Sequence, residues 1–380
     1  MDAYLVDWAR SPFHFARKGK LAALRPDDLA AQVVRALLQR QPFAAGEIED
    51  VLLGCAYPEG EQGDNLARIV GFLAGLPVEI GGMTMNRFCG SSMSAIHTAA
   101  GQLAIGAGDA FLCVGVEAMS RVPQGGLNPA PNPALMERYP EAYTAMGMTA
   151  ENLARSHGIT RAEQDAFALR SQRKAAAAFE RGAFGDELVA VRTPDGTVVD
   201  SDGCLRPATS LEGLAALKPA FLPEGVGTVT AGTSSPLTDG AVAVLVANEA
   251  FLRRHELQPL ARIRAVATAG CPPEIMGIGP VPATRKALQR AGLALHEIGV
   301  VEINEAFAAQ ALACLSELEL DEARINPDGG AIALGHPLGA TGARITAKAA
   351  QLLQRGGHRY ALATQCIGGG QGIATVLERA

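Results

Sequence analysis

Blocks of helical and strand period alternate along this chain. In RALLQRQPFAAGEIEDVLLG (residues 35–54), apolar positions three and four apart predict an amphipathic helix. The apolar run that follows it predicts a strand. RKALQRAGLALHEIGVVEIN (285–304) repeats the pattern 250 residues later. Arg35, Leu38, Gln39, Arg40, Ala44, Glu47, Ile48 and Val51 are identical in the second copy. The same offset lays CGSSMSAI (89–96) over GATGARIT (339–346), a glycine turn into a helix in both. It also lays AIGAGDAFLCVGV (104–116) over QRGGHRYALATQC (354–366), a helix end followed by a strand. Two copies of one α/β unit are therefore expected, related by duplication and by a pseudo-twofold axis. The helices after Cys89 and after His336 become equivalent and should meet between the halves.

The pattern changes between the copies. RVPQGGLNPAPNPALMERYPEAY (121–143) is rich in proline and predicts loop. Thr160 followed by Glu163 predicts a capping box that opens a helix over 159–184. Residues 185–238 read as short strands and turns. AVAVLVAN (241–248) is a continuous apolar run, expected as a buried strand that returns to the first half. The predicted division is 1–118 with 239–258 as one half, 119–238 as an insertion, and 259–380 as the other half.

Composition narrows the function. The 380 residues are 48% hydrophobic and 19% charged, with a net charge of −6 and no basic run. Nucleic acid is therefore an unfavoured partner. No stretch reaches the roughly 18 apolar residues of a membrane span. MDAYLVDWARSPF lacks the form of a secretion leader, and VLERA is not a peroxisomal address, so a cytoplasmic location is expected. The seven cysteines are odd in number and widely spaced, and no CxxC pair occurs. Free thiols are expected, with neither a disulfide framework nor a metal site.

The candidate chemistry lies in four motifs. In NRFCGSSM, Met93, Ile96, Ala100 and Leu103 form one helix face, which puts Cys89 at the helix start. There backbone N–H groups and the helix dipole favour a thiolate; a small buried packing residue is the other reading. In GGAIALGHPLGATGAR (329–344), His336 stands in a glycine-rich turn, as a base for a nearby thiol or as a loop histidine. In CIGGGQG, Cys366 ends a strand before three glycines, whose N–H groups suit an oxyanion hole. In NEAFAAQ, Asn304 either holds a water through its amide or caps a helix. Glu305 also reads as a helix-start carboxylate. TVTAGTSSPLTDGA (228–241) is a ligand-contacting loop or only a turn. The remaining six histidines read as structural or solvated, and no P-loop or dinucleotide fingerprint is present.

Taken in order along the whole chain, these four motifs resemble the signature set of the thiolases. The likeness is strongest to members that cleave 3-ketoacyl-CoA in fatty-acid β-oxidation, with acetoacetyl-CoA-using members next. The resemblance implies an α/β thiolase fold, with two duplicated βαβαβαββ halves in a five-layered αβαβα arrangement and an inserted loop domain that helps hold coenzyme A. It implies Cys89 as the acylated nucleophile, His336 as its activator and Cys366 as acid and base. Asn304 would hold a water in one oxyanion hole with His336, and the N–H groups of Cys89 and Gly368 would form the second. Ser235, Met146, Phe221, Ala231, Met276 and Phe307 match positions that line the pantetheine and acyl channel. Coenzyme A would be a co-substrate, with no permanently bound cofactor. Homodimers or homotetramers are expected, and association with a hydratase/dehydrogenase subunit is a further possibility that the resemblance implies.

One departure bears on chain length. Biosynthetic acetoacetyl-CoA thiolases usually carry histidine before Met-Gly in the loop domain, whereas YTAMGMTAEN (143–152) has Ala145 there. This resembles degradative members with a roomier channel. The alternatives are a short-chain acetyltransferase running in the condensing direction, a decarboxylating condensing enzyme, and a lipid-binding scaffold without catalysis. The second cysteine in CIGGGQG argues against the condensing enzyme, and four filled reactive positions argue against the scaffold.

Overall fold

In the computed structural model, which describes residues 2–380, the two copies repeat the same strand order. The first copy runs β1 (Tyr4–Arg10), a two-residue β2 (His14–Phe15), α1 (Pro26–Gln39), β3 (Asp50–Gly54), α2 (Leu66–Ala74), β4 (Gly81–Met85), α3 (Ser91–Ala104) and β5 (Ala110–Ala118). A segment of short elements follows: α4 (Pro133–Arg138), α5 (Met146–Ser156), α6 (Arg161–Glu180), β6 (Val191–Arg192), β7 (Val198–Val199) and α7 (Leu211–Ala215). β8 (Thr238–Ala247) then returns to the first sheet, and α8 (Glu249–Arg254) leads out of it. The second copy comprises β9 (Ala261–Gly270), α9 (Pro280–Ala291), β10 (Ile298–Ile303), α10 (Ala308–Leu318), a short α11 (Ala331–Leu334), α12 (Leu338–Arg355), β11 (Tyr360–Ile367) and β12 (Gln371–Glu378).

The pairing makes the duplication explicit. In the first half β4 and β3 are parallel, β3 and β5 are parallel, and β5–β8–β1 are antiparallel. In the second, β10 and β11 are parallel and β11–β12–β9 antiparallel. A single parallel bridge from Val301 to Ile325 stands where the fourth strand would be. The two sheets join end to end through two residue pairs, Tyr4 with Arg262 and Leu5 with Ala261. The strand run predicted at 241–248 falls in β8 up to Ala247, with Asn248 capping α8, and the ten residues of β8 are all buried between β5 and β1.

Three apolar cores follow from this plan. α1 and α2 cover the outer face of the first sheet, and α9 and α10 cover that of the second. α3 and α12 lie together between the sheets, as the offset predicts, and their apolar faces form the central core. Close approach of these two helices requires glycine. A Cβ on Gly342 would lie 2.6 Å from the backbone nitrogen of Met93. The layers thus alternate αβαβα, as expected. Among the described residues no helix is long and apolar enough to cross a membrane.

The capping box at Thr160 and Glu163 forms and opens α6 at Arg161. The proline-rich stretch departs from the loop expectation over six residues. Asn132 accepts the Leu135 N–H at 3.1 Å and Pro133 opens the first turn, which together start α4.

Candidate active site

Cys89 stands in the link between β4 and α3. Phe88 before it adopts φ +42°, a left-handed conformation uncommon outside glycine. Local hydrogen bonds hold this turn: Phe88 N–H to Asn86 Oδ1 (2.7 Å), Arg87 N–H to Ser91 Oγ (2.9 Å) and Ser91 Oγ–H to the Phe88 carbonyl (2.6 Å). Gly90 is required by packing, because a Cβ there would lie 2.5 Å from Ile367 Cδ1. The Gln365 amide also donates to the Cys89 carbonyl, so β11 grips the nucleophile turn from the other half.

The apolar face predicted for α3 is buried at Met93, Ile96, Ala100 and Leu103. The helix-start expectation of a lowered thiol pKa does not hold. The N–H groups of Gly368 and of Cys89 itself favour the thiolate, but burial is the larger effect, and Glu117 nearby adds to it. Although part of the residue reaches solvent, its thiol is pushed up to about 12.

His336 lies on the approach to α12 and is 4% exposed. Its backbone N–H donates to Thr238 Oγ1 (3.0 Å), tying the turn to the start of β8. Its Nδ1 lies 2.6 Å from Thr341 Oγ1, whose own proton points to the Pro337 carbonyl at 3.2 Å. This pattern assigns the proton to Nδ1 and leaves a lone pair on Nε2. Nε2 lies 3.3 Å from the Asn304 amide nitrogen. Burial, with Arg344 as the lesser cause, pushes the imidazole down to about 3, so it rests neutral. Asn304 is not a helix cap, since α10 begins at Ala308 with Phe307 in the cap position. Its Oδ1 is buried and has no partner.

Cys366 ends β11 at 1% exposure. Burial raises its thiol well above the ordinary cysteine range, and the charge of a Cys89 thiolate is the next cause. Around Cys366 pack Met276, Phe307, Ala306 and Val229, with Met146 against them. Gly368 is close to both Met146 and Phe88, each 3.6 Å from where its Cβ would be. Phe221 meets Phe307 edge-on at 6.0 Å between ring centres. Ser235 joins through its backbone, donating to the Ala306 carbonyl at 3.0 Å while Ser234 bridges Phe307. The 228–241 loop therefore pairs with NEAF and does more than turn. Ala231 sits exposed in the Thr230–Thr233 turn, and no hydrogen bond ties it to the sulfur-bearing residues.

Two residues of this site escaped the sequence reading and a third was misread. Thr341 was hidden inside a glycine-rich helix start, where a hydroxyl five residues after the histidine is the available signal. Glu117 is a fully buried carboxylate with no cation partner. It accepts N–H bonds from Ala56 (2.8 Å), Tyr57 (3.3 Å), Gly339 (2.9 Å) and the Gln62 side chain (2.8 Å). It thereby ties the loop after β3 to the first turn of α12. Glu305 is no helix-start carboxylate. It accepts from Ser171 (2.5 Å), Asn326 (2.8 Å) and the Ile332 N–H (3.2 Å), holding α6 and α11 against the turn that carries Asn304.

Two thiols, a neutral imidazole, a side-chain amide and two convergent N–H groups are the parts needed for acyl transfer through a thioester. Residues 3–250 match the family profile "Thiolase, N-terminal domain" and residues 257–379 match "Thiolase, C-terminal domain". A 3-ketoacyl-CoA thiolase of Acinetobacter baumannii (strain AYE) is 48% identical over 100% of this chain and 98% of its own length. One of Bacillus subtilis (strain 168) is 45% identical over 99% of each. The crystal structure of human mitochondrial 3-ketoacyl-CoA thiolase superposes with a TM-score of 0.91 at 39% identity, covering 100% of this chain and 98% of that one. A second structure of the human enzyme, in complex with CoA, matches equally well. With both family profiles covering nearly the whole chain and the strand order duplicated as described, the chain belongs to the thiolase family.

Proposed function

We propose that the chain catalyses thiolytic cleavage of 3-ketoacyl-CoA by coenzyme A, giving acetyl-CoA and an acyl-CoA two carbons shorter. What supports this reading is the grip of the second half on the Cys89 turn through Gln365 and Leu338, beside an Asn304 amide 3.3 Å from His336 Nε2. Coenzyme A is a co-substrate, and the relatives' names and the CoA-bound neighbour support this.

The Cys89 thiol gives its proton to His336 Nε2 as sulfur attacks the 3-keto carbon. Neither group ionises readily alone, since burial holds the thiol protonated and the imidazole neutral. Proton transfer is therefore coupled to attack, and the negative charge moves onto the carbonyl oxygen. The N–H groups of Cys89 and Gly368 stabilise that oxyanion. Collapse breaks the C2–C3 bond and releases the acetyl-CoA enolate, whose oxygen is held by His336 and a water on Asn304. Cys366 protonates the enolate carbon. The Cys366 thiolate then takes the proton of incoming CoA, whose sulfur attacks the acyl group. Cys89 leaves as thiolate and recovers its proton from His336. Each oxyanion site contributes about 3–4 kcal/mol to lowering its barrier.

Ser235, Met146, Phe221, Ala231, Met276 and Phe307 line the pantetheine and acyl channel in this reading. Residues 119–238 form the inserted loop domain that helps bind CoA, between halves made of 1–118 with 239–258 and 259–380. The protein acts in the cytoplasm as a homodimer or homotetramer, in one arrangement with a hydratase/dehydrogenase subunit. Ala145 in place of histidine favours longer acyl chains.

The test is a thiolysis assay with CoA and 3-ketoacyl-CoA substrates from four carbons upward. Cleavage that improves with chain length is expected. Activity confined to acetoacetyl-CoA makes the enzyme a short-chain acetyltransferase, and no cleavage at any length overturns the reading.

A further inference from the structure

Cys89 borders a second apolar cluster, separate from the one around Cys366. Cys89 and Tyr57 both pack against Ala56, Met119 and Leu338. The Tyr57 ring lies 5.9 Å from that of Phe88, the strained residue before the nucleophile. The channel lined by Met146, Phe221 and Phe307 takes the pantetheine arm and the start of the acyl group, and a longer acyl chain on the Cys89 sulfur needs further apolar surface. This second cluster, against which Cys89 packs, offers it.

Tyr57 is held there by a seam between two loops. The Gly125 backbone approaches its phenol oxygen. Two residues on, the Glu59 carboxylate accepts the N–H groups of Leu127 (2.6 Å) and Asn128 (3.1 Å). Two further on, Glu61 pairs with Arg121, with 2.7 Å between Oε2 and Nε. Alternate residues 57, 59 and 61 thus fasten the loop after β3 to the stretch 121–128. The fit is close: a Cβ on Gly60 would lie 2.8 Å from Leu127 Cδ1. The outer ties are partly solvent-exposed, while the Tyr57 end lies against the apolar cluster on which Cys89 also packs.

We propose that Tyr57 is the chain-length gate of this site, its ring closing the space beside the Cys89 sulfur where the acyl chain would extend. The proposal rests on the thiolysis reading and names the residue that sets which 3-ketoacyl-CoA is preferred. Tyr57→Ala leaves the nucleophile, base and acid untouched and removes the wall. Tyr57→Phe keeps the ring and removes the tie to Gly125.

The experiment measures kcat/KM for the parent and both variants on acetoacetyl-CoA and on a ten-carbon 3-ketoacyl-CoA, with thermal denaturation as a check on folding. In Tyr57→Ala the ratio of long to short substrate should rise at least about fivefold, within the range that one or two methylenes command in an apolar pocket. Tyr57→Phe should give a smaller rise. A Tyr57→Ala ratio that falls, or rises by less than that, overturns the gate. Tyr57→Leu, which keeps apolar packing but shortens the reach, carries the same test if the alanine variant does not fold. A parent enzyme inactive at every chain length refutes the thiolysis reading instead, so the two failures are distinguishable.

Discussion

Replacing Thr341 with valine keeps the side-chain shape and removes the hydroxyl that fixes the proton on His336. Thr341 is 1% exposed and its oxygen lies 2.6 Å from Nδ1, so no solvent stands ready to replace it. An N–H left buried without an acceptor costs about 1–3 kcal/mol. The imidazole escapes this cost by moving its proton to Nε2, where the unpartnered Oδ1 of Asn304 accepts it once the amide rotates. That tautomer has no lone pair facing Cys89. At about 1.4 kcal/mol per factor of ten, the competent tautomer becomes about ten- to a hundredfold rarer. In a steady-state thiolysis assay kcat for Thr341→Val should fall by that factor, with KM within twofold of the parent. Thr341→Ser, which retains the hydroxyl, should stay near the parent. A Thr341→Val enzyme with unchanged kcat would show that Thr341 does not set the tautomer.

Cys89→Ala should abolish thiolysis and leave the melting temperature within a few degrees, read by calorimetry, since the side chain is small and partly exposed; retained turnover sinks the proposed mechanism. Between about pH 6.5 and 8.5 the buried histidines and cysteines contribute their full stability, opposed on the acid side by Glu302, whose carboxyl burial raises to about 8 and which stabilises the fold less as pH climbs toward that value. Below that window the unfolded chain takes up protons that His97 and His336, each pushed down by burial to about 3, refuse when folded. Above it, unfolding releases protons that Cys55, Cys204, Cys314 and Cys366 retain in the fold because burial raises them. Each such group contributes up to about 1.4 kcal/mol per pH unit outside the window, and urea midpoints that stay level from pH 5 to 10 would refute the assignment. Gly342→Ala should destabilise by about 1–3 kcal/mol, because its methyl group meets Met93 at the contact of α3 with α12; an unchanged urea midpoint would show that the helices can part there at no cost.

The duplication was legible because both halves keep the same apolar periods and glycine turns at a fixed offset. The candidate motifs stood out because cysteine and histidine close to glycine are uncommon packing choices and because Asn304 follows directly on a strand-like run. Thr341, Glu117 and the role of Glu305 were not legible. Thr341 is near His336 in sequence but its hydroxyl has meaning only once the turn is built, and the two carboxylates act through partners far away: Glu117 reaches Gly339, and Glu305 reaches Ser171. A buried carboxylate looks like any surface acid until its donors are known. The pKa of Cys89 was misjudged on similar grounds. A helix start is visible in sequence, but the desolvation that outweighs it comes from chain segments that meet only on folding. Helix α4 was missed because prolines signal loop, although Asn132 followed by Pro133 is also a helix start.

The place of β8 has a cost during synthesis. This strand fills the slot between β1 and β5, yet it is encoded after the whole stretch that follows Ala118. At about 5–20 residues per second, the ribosome needs on the order of 10 s to pass from β5 to the end of β8. Throughout that interval β1 and β5 each present an unpaired apolar edge, and neither can pair with the other in native register. The half of the protein that is made first therefore stays unfinished until residue 247 of 380 has been added. A nascent chain with open edges for that long is a client for chaperones, and stalled translation between residues 119 and 247 would leave an aggregation-prone fragment.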